Sequence, residues 1–168
     1  MRAEWESLIC GYDTQTGAEQ LSASDAIQLH KEGKLFVIDT RTESEYKYAC
    51  IQNAHLLPPT TLGMAMCLMV GSGMRYDRDV DGLLPDLAAV PEHATIVCSC
   101  TAGLRSGFSA VDLSKKSGRT VKNLHGGIIE WFNHGGVVVN PETGKAVDKI
   151  HTYSAQWSKY VKDGKGWY

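Results

Sequence analysis

Two short, unbroken apolar runs constrain this chain more than any other feature: Leu35-Phe36-Val37-Ile38-Asp39 and Ala94-Thr95-Ile96-Val97-Cys98. A strand with one face in water alternates apolar and polar residues. A run without alternation fits a strand covered on both faces, the usual state in a parallel sheet. Ala54-His55-Leu56-Leu57 and Val121-Lys122-Asn123-Leu124 are weaker strand candidates. Helix signals lie between them. Ser22-Ala23-Ser24-Asp25 and Thr42-Glu43-Ser44-Glu45 have capping-box spacing, in which each end satisfies an orphan N–H of the first turn. Leu104, Phe108 and Val111 repeat at i, i+4, i+7; Lys115 and Lys116 follow where the helix dipole favours cations, and Gly118 can supply a left-handed stop. Ile128, Trp131 and Phe132 mark a shorter helix between Gly126-Gly127 and Gly135-Gly136. Alternating strands and helices predict an α/β fold: an open, mainly parallel sheet of about five strands, flanked by helices on both faces and joined by right-handed crossovers.

Between residues 60 and 92 the pattern predicts an apolar helix carrying Met64, Met66 and Met69, then a second helix near 83–90 that Pro85 starts or breaks. The methionines read as core packing.

Composition narrows the classes of function. The 17 basic and 19 acidic residues are interspersed, with a net charge of −2, so neither nucleic acid nor an anionic membrane is the expected partner. The longest apolar stretch, 62–70, is far short of the roughly 20 residues that a membrane-spanning helix needs. The opening Met1-Arg2-Ala3-Glu4-Trp5-Glu6 alternates charges with no apolar segment ahead of a cleavage site, so no secretory signal is expected. A cytoplasmic location follows as the expectation, with a mitochondrial one left open. Five cysteines, Cys10, Cys50, Cys67, Cys98 and Cys100, are an odd number in a chain of 168 residues, which argues against a secreted disulfide framework.

One of the five has surroundings that suggest chemistry. In open α/β sheets, ligands bind where strand ends lead into helix N-termini. The run Ile96-Val97-Cys98-Ser99-Cys100 leaves a strand and Arg105-Ser106 enters a helix, so Cys100-Thr101-Ala102-Gly103-Leu104-Arg105 forms a tight loop above the helix's positive end. Gly103 lets the loop bend and turn backbone N–H groups inward. A free thiol has a pKa of about 8.5, and the helix dipole, the loop amides and Arg105 all act to lower it. A thiolate held there can attack a sulfane sulfur, become a persulfide and pass the outer sulfur on, with the same N–H groups stabilising the anion.

The other candidates read more plainly. Cys98 is expected as a buried strand residue: a Cys-x-Cys pair seldom reaches disulfide geometry, and with His125 alone it lacks a second ligand pair for a metal. No metal or other cofactor is expected. His125 either approaches the mouth of the site or sits solvated or capped at a strand end. His55, Trp131 and the aromatic residues of the tail read as packing, and Trp5 with Leu8 and Ile9 either docks an N-terminal segment or mediates self-association.

Residues 21–140 resemble the rhodanese family. Leu21-Ser22 through Asp39-Thr40-Arg41 resembles its opening helix, strand and Asp-x-Arg turn, and Glu45-Tyr46 with Ile51 and Ala54 its next helix and strand. Cys100-x4-Arg105-Ser106 is similar to its active-site loop, and Leu124-His125-Gly126-Gly127 with Trp131 to its Gly-Gly-x3-Trp close. Residues 1–20 then form an N-terminal extension. Residues 141–168 form a C-terminal one that packs on the domain; His151, Tyr153, Trp157 and Tyr160 in it are similar to an extension of some single-domain members. The resemblance implies a sulfurtransferase with Cys100 as persulfide carrier, Thr101, Ala102, Gly103 and Leu104 as the loop that holds the substrate sulfur, and Arg105 closing the loop electrostatically. Asp39, Arg41 and Ser106 would support it.

Two departures from the family pattern stand out. Ala49-Cys50-Ile51 and Asn53-Ala54 replace the common Gly-His-Ile and Gly-Ala, and the loop lacks the basic residues after the cysteine that thiosulfate-preferring members carry. The implied partners are a small sulfur donor (thiosulfate, a persulfide or a thiosulfonate), a thiol or cyanide acceptor, and a sulfur-accepting protein. A sulfur-carrier or partner-docking module without small-molecule turnover is the alternative. A phosphatase or arsenate reductase ranks below both: those enzymes use Cys-x5-Arg, whereas Arg105 follows Cys100 after four intervening residues and Cys98 after six.

Overall fold

The computed structural model of the protein describes residues 1–60 and 78–168. The helix expected around Met64, Met66 and Met69, the apolar stretch 62–70 and Cys67 lie outside the described residues. In chain order the elements are α1 (Arg2–Thr16), β1 (Gln20–Leu21), α2 (Ala23–Lys31), β2 (Leu35–Asp39), α3 (Glu43–Tyr48), β3 (Cys50–Ile51) and β4 (His55–Leu56). After the undescribed segment come α4 (Leu84–Ala89), β5 (Thr95–Ser99), α5 (Leu104–Ser117), β6 (Val121–Leu124), α6 (Gly127–Asn133), β7 (Val138–Val139) and β8 (Ala146–Val147). β9 (Ile150–His151), α7 (Ala155–Ser158) and β10 (Gly166–Trp167) complete the chain.

Five strands form one parallel sheet in the order β1-β6-β5-β2-β4. The two unbroken apolar runs are its inner neighbours β5 and β2, with Val37 opposite Val97 and Ile38 opposite Cys98. Their alternate residues feed two separate cores, which is why the runs show no polar face. Val37 and Val97 join Ala26 of α2, Ile128 and Ile129 of α6, and Trp5 and Ile9 of α1. Ile38, Ile96 and Cys98 join Leu87 of α4 and Ala110 and Leu113 of α5 on the other side. The sheet is open, parallel and covered by helices on both faces, as the sequence pattern predicts.

Local signals account for most boundaries. The Ser22 hydroxyl accepts the Asp25 N–H at the start of α2, while Thr42 and Glu45 make the reciprocal capping box of α3. Pro85 starts α4, the position where its missing N–H costs nothing. Gly118 ends α5 in the left-handed conformation.

Four features differ from the sequence expectation or resolve it. β1 is a strand, although two residues are too short to show a period. A three-stranded antiparallel sheet, β3-β7-β8, and a parallel pair, β9 and β10, lie beside the main sheet. His55 is exposed and stacks on Phe36 with ring centroids 4.3 Å apart, so it covers an edge of the molecule instead of packing inside it. The N-terminal segment docks on its own chain. Trp5 is buried and its indole N–H donates to Glu130 at 2.7 Å, and Arg2 donates to both Glu130 oxygens at 2.8 and 3.1 Å. The tail packs on the same ring: Tyr160 lies tilted against Trp5 at 4.7 Å and Trp157 meets it edge-on at 6.3 Å. Among the described residues, no helix is long and apolar enough to cross a membrane.

Candidate active site

Strand β5 ends at Ser99 and α5 begins at Leu104, so Cys100-Thr101-Ala102-Gly103 is the whole turn between them. Gly103 caps the helix at φ 98°, a conformation that a side chain at this position would strain. The turn is also pressed from behind by Gly127, where a Cβ would lie 2.3 Å from the Cys100 carbonyl oxygen. The amides of Ile128 and Ile129 donate to the carbonyls of Cys100 and Thr101. Both loop carbonyls therefore point away from the sulfur, and the amides are left to face it.

Cys100 Sγ accepts the Gly103 N–H at 3.2 Å and lies 3.3 Å from the Ser106 hydroxyl. That hydroxyl is also 2.6 Å from Asn123 Oδ1, whose amide is oriented by donating to Gln20 Oε1 and the Gly103 carbonyl at 3.0 Å each. Burial alone pushes the Cys100 thiol pKa up. The Arg105 charge, the Ser106 hydroxyl and the amides of Ser106 and Ala102 outweigh it, and the net shift is downward. The side chain is nearly enclosed, with 1% of its residue exposed.

Arg105 acts on the sulfur through its charge. Its guanidinium forks onto Glu45 at 2.9 and 2.7 Å and donates to the Thr101 hydroxyl at 2.7 Å, while that hydroxyl donates to Glu45 at 3.0 Å. The Thr101 side chain is therefore a strut, and the loop's closest contributions to Sγ are backbone. Burial raises the Glu45 pKa, but Arg105, the more distant Arg41 charge and the Thr42 N–H reverse this and hold it at about 2. Behind this pair, fully buried Arg41 binds Asp39 through Nε and a terminal nitrogen and donates to the Ala49 carbonyl at 2.6 Å. A terminal nitrogen also reaches the His151 carbonyl at 3.5 Å.

All nine residues singled out in the sequence lie at this strand end: Cys100, Thr101, Ala102 and Gly103 in the turn, Leu104, Arg105 and Ser106 in the first turn of α5, and Asp39 and Arg41 behind it. Three groups of residues were missed. Glu45 has the signal of a capping box, which says nothing about a distant arginine, and Asn123 reads only as a polar strand residue. Tyr12, Tyr153 and Trp157 line the pocket over Cys100 together with Thr101, Ala102, Leu104 and Arg105. The tail aromatics are thus more than packing: Tyr153 is 46% exposed, with its ring 5.2 Å from the Arg105 guanidinium carbon. His125 is not part of the pocket lining and is held by Asp13 at 2.7 Å. Cys98 is fully buried in the strand, and burial pushes its thiol pKa strongly up. No cluster of metal-ligating side chains is found among the described residues.

A family model described as a rhodanese-like domain matches residues 22–134. The chain belongs to the rhodanese-like family. It is 27% identical over 108 residues to a sulfurtransferase of Allochromatium vinosum, covering 64% of this chain and 81% of the relative. Two solved structures show the shared rhodanese fold. A rhodanese-related protein of Thermoplasma volcanium is similar at a TM-score of 0.50 and 20% identity, over 73% of this chain and 98% of that one. A thiosulfate sulfurtransferase of Pseudomonas aeruginosa is similar at 0.51 and 16% identity, over 93% of this chain and 26% of that one. The turn around Cys100 lies inside the family-matched segment, whereas Tyr12, Tyr153 and Trp157 lie outside it.

Proposed function

We propose that the protein is a sulfurtransferase that carries a sulfane sulfur on Cys100. The observation that carries this reading is a buried thiol whose pKa is lowered, with an inward amide at 3.2 Å and a hydroxyl at 3.3 Å on its sulfur. An apolar burial site would do the reverse, so the turn favours an anion.

In the first half-reaction the Cys100 thiolate attacks the outer sulfur of the donor. The donor's S–S bond breaks, its electron pair leaves with the departing sulfinate, sulfite or thiolate, and a Cys100 persulfide anion forms. In the second, a thiol or cyanide attacks that outer sulfur and the Cys100 thiolate is released, as in other two-step covalent mechanisms. Sulfur is exchanged between nucleophiles throughout, so no external oxidant or reductant enters. The amides of Ala102, Gly103 and Ser106 stabilise the anion in both states, as the donors of an oxyanion hole do.

Arg105 ties the turn to α3 through Glu45 and adds positive potential near the sulfur. Thr101 and Leu104 set the wall of the pocket, Ser106 donates toward the sulfur, and Asp39 with Arg41 fixes the strand end. In this reading residues 21–140 form the rhodanese-like domain, and 1–20 and 141–168 are extensions packed over its site. The near-complete enclosure of Cys100 favours one second reading, a sulfur carrier that exchanges sulfur with a protein and turns over no small donor.

Steady-state transfer from thiosulfate or a thiosulfonate to cyanide, followed as thiocyanate, tests the proposal. Activity with ping-pong kinetics that is lost in Cys100→Ser supports it. Full activity in that variant contradicts it, and no turnover on any small donor favours the carrier.

A further inference from the structure

Asn123 is fully buried in β6, where the parallel register sets it between Gln20 of β1 and Cys98 of β5. An amide with no exposed surface in a central strand needs partners at both ends. Its Nδ2 donates to the Gly103 carbonyl and to Gln20 Oε1 at 3.0 Å each, and Gln20 is itself fixed by its Nε2 donating to the Ala18 carbonyl at 2.9 Å. A backbone carbonyl only accepts, so each side-chain amide has one orientation alone. Asn123 Oδ1 therefore faces Ser106.

The Ser106 hydroxyl has one hydrogen and three acceptors around it: Asn123 Oδ1 at 2.6 Å, Cys100 Sγ at 3.3 Å and the Gly103 carbonyl at 3.3 Å. Oδ1 has no hydrogen to give, so the short contact is made by the hydroxyl donating to it. A neutral Cys100 thiol is compatible with this, because its S–H can donate to the hydroxyl oxygen. Once the sulfur is an anion it competes for the same hydrogen, and a bond to an anion is stronger than one to the neutral Gly103 carbonyl at the same distance. Turning the hydrogen to the sulfur leaves Oδ1 buried with its acceptor capacity unmet, which opposes the gain.

Resting on Cys100 as the sulfur-carrying thiol, we propose that Asn123 is a positioning residue of the transfer reaction: it draws the Ser106 hydrogen away from Sγ and so keeps the anion nucleophilic. The turn amides make the thiolate accessible, and Asn123 limits how far it is stabilised. A thiolate that becomes one pKa unit less basic loses about threefold in intrinsic nucleophilicity. A residue that only braced the turn would act in the opposite sense: its removal would loosen the amides around the sulfur and make the thiol less acidic.

Alkylation of Cys100 by iodoacetamide, followed against pH on its own peptide, is measured beside single-turnover sulfur loading from a thiosulfonate. Alkylation needs no sulfurtransferase chemistry. In Asn123→Ala, and in Asn123→Val with its strand-forming side chain, the hydrogen is free to turn to the sulfur. The alkylation midpoint should fall by about half to one pH unit, and loading at a pH above both midpoints should slow about two- to threefold. In Ser106→Ala there is no hydrogen to redirect, and adding Asn123→Ala should leave the midpoint of that variant within about 0.3 unit. On the unsubstituted chain, the side-chain carbonyl carbon resonance of Asn123 should titrate with the Cys100 midpoint, and with a much smaller amplitude in Ser106→Ala. That measurement decides the matter even where neither Asn123 variant folds.

An unchanged or raised midpoint in the folded Asn123 variants, a fall that persists without Ser106, or a resonance that stays flat through the Cys100 titration overturns the inference while leaving Cys100 as the carrier. A lowered midpoint in a chain that no donor loads removes the sulfurtransferase reading, and the role of Asn123 in transfer with it.

Discussion

Cys98 and Cys100 are two residues apart, almost equally buried at 0% and 1% exposure, and opposite in acidity. Cys98 lies in the apolar core with Ile38, Ile96 and Leu113, and burial raises its pKa strongly. Cys100 is one step past the strand. There the chain has left the ladder, its amides are unclaimed by a neighbouring strand, and Arg105 and Ser106 are within reach, so its pKa falls despite the same loss of water. The pair teaches that enclosure does not decide the reactivity of a thiol; the donors enclosed with it do.

The comparison is broken most directly by exchanging the sulfurs one at a time. Cys100→Ser should reduce sulfur transfer by on the order of 10³-fold or more, because the nucleophile itself is gone. Cys98→Ala should leave transfer within about twofold and cost only the modest stability of a small core truncation. A large loss of transfer in Cys98→Ala at unchanged fold would mean that the two thiols act together.

Removing the counterion of Arg105 sharpens it next. Glu45→Gln leaves a buried guanidinium without its carboxylate and should destabilise the fold by about 3–5 kcal/mol, measured by urea unfolding. The pH dependence follows from the depressed Glu45 pKa of about 2: its contribution is fully present above the ordinary carboxylate range and is lost as pH falls through that range toward about 2. Wild-type stability should therefore decline across that acid window, and Glu45→Gln should decline less. Freed of Glu45, Arg105 should also lower the Cys100 pKa further, which a downward shift in the pH profile of sulfur loading would register.

The smallest expected effect is that of Ser106→Ala. Loss of one hydroxyl near the sulfur should raise the Cys100 pKa by up to about one unit, displacing the pH profile of loading upward by the same amount. Cys98 has no part in that hydrogen bond, and its alkylation in the unfolding transition should be unchanged.

Much of this contrast is legible in the sequence. The strands β2, β5 and β6, the helix α5 and its Gly118 stop all announce themselves through period and capping, because those signals are local. The spacing from Cys100 to Arg105 separates the turn from longer phosphate-binding loops by counting alone. The partner of Arg105 is not legible, since Glu45 meets it across 60 residues and carries only a helix-start signal of its own. The aromatic cover is hidden for the same reason: Tyr12 and Trp157 are brought together by anchors such as Trp5 on Glu130, which no periodicity encodes. β1, β3 and β7 to β10 are two residues each, too short to show alternation.

Sulfur transfer by this chain depends on Cys100 bonding a second sulfur. Intact-protein mass spectrometry after incubation with a sulfane donor, followed by peptide mapping, tests it most directly. A gain of one sulfur atom is expected on the peptide that carries Cys100, reversed by cyanide and absent in Cys100→Ser. A gain that survives that substitution, or one that maps to Cys98, would contradict it.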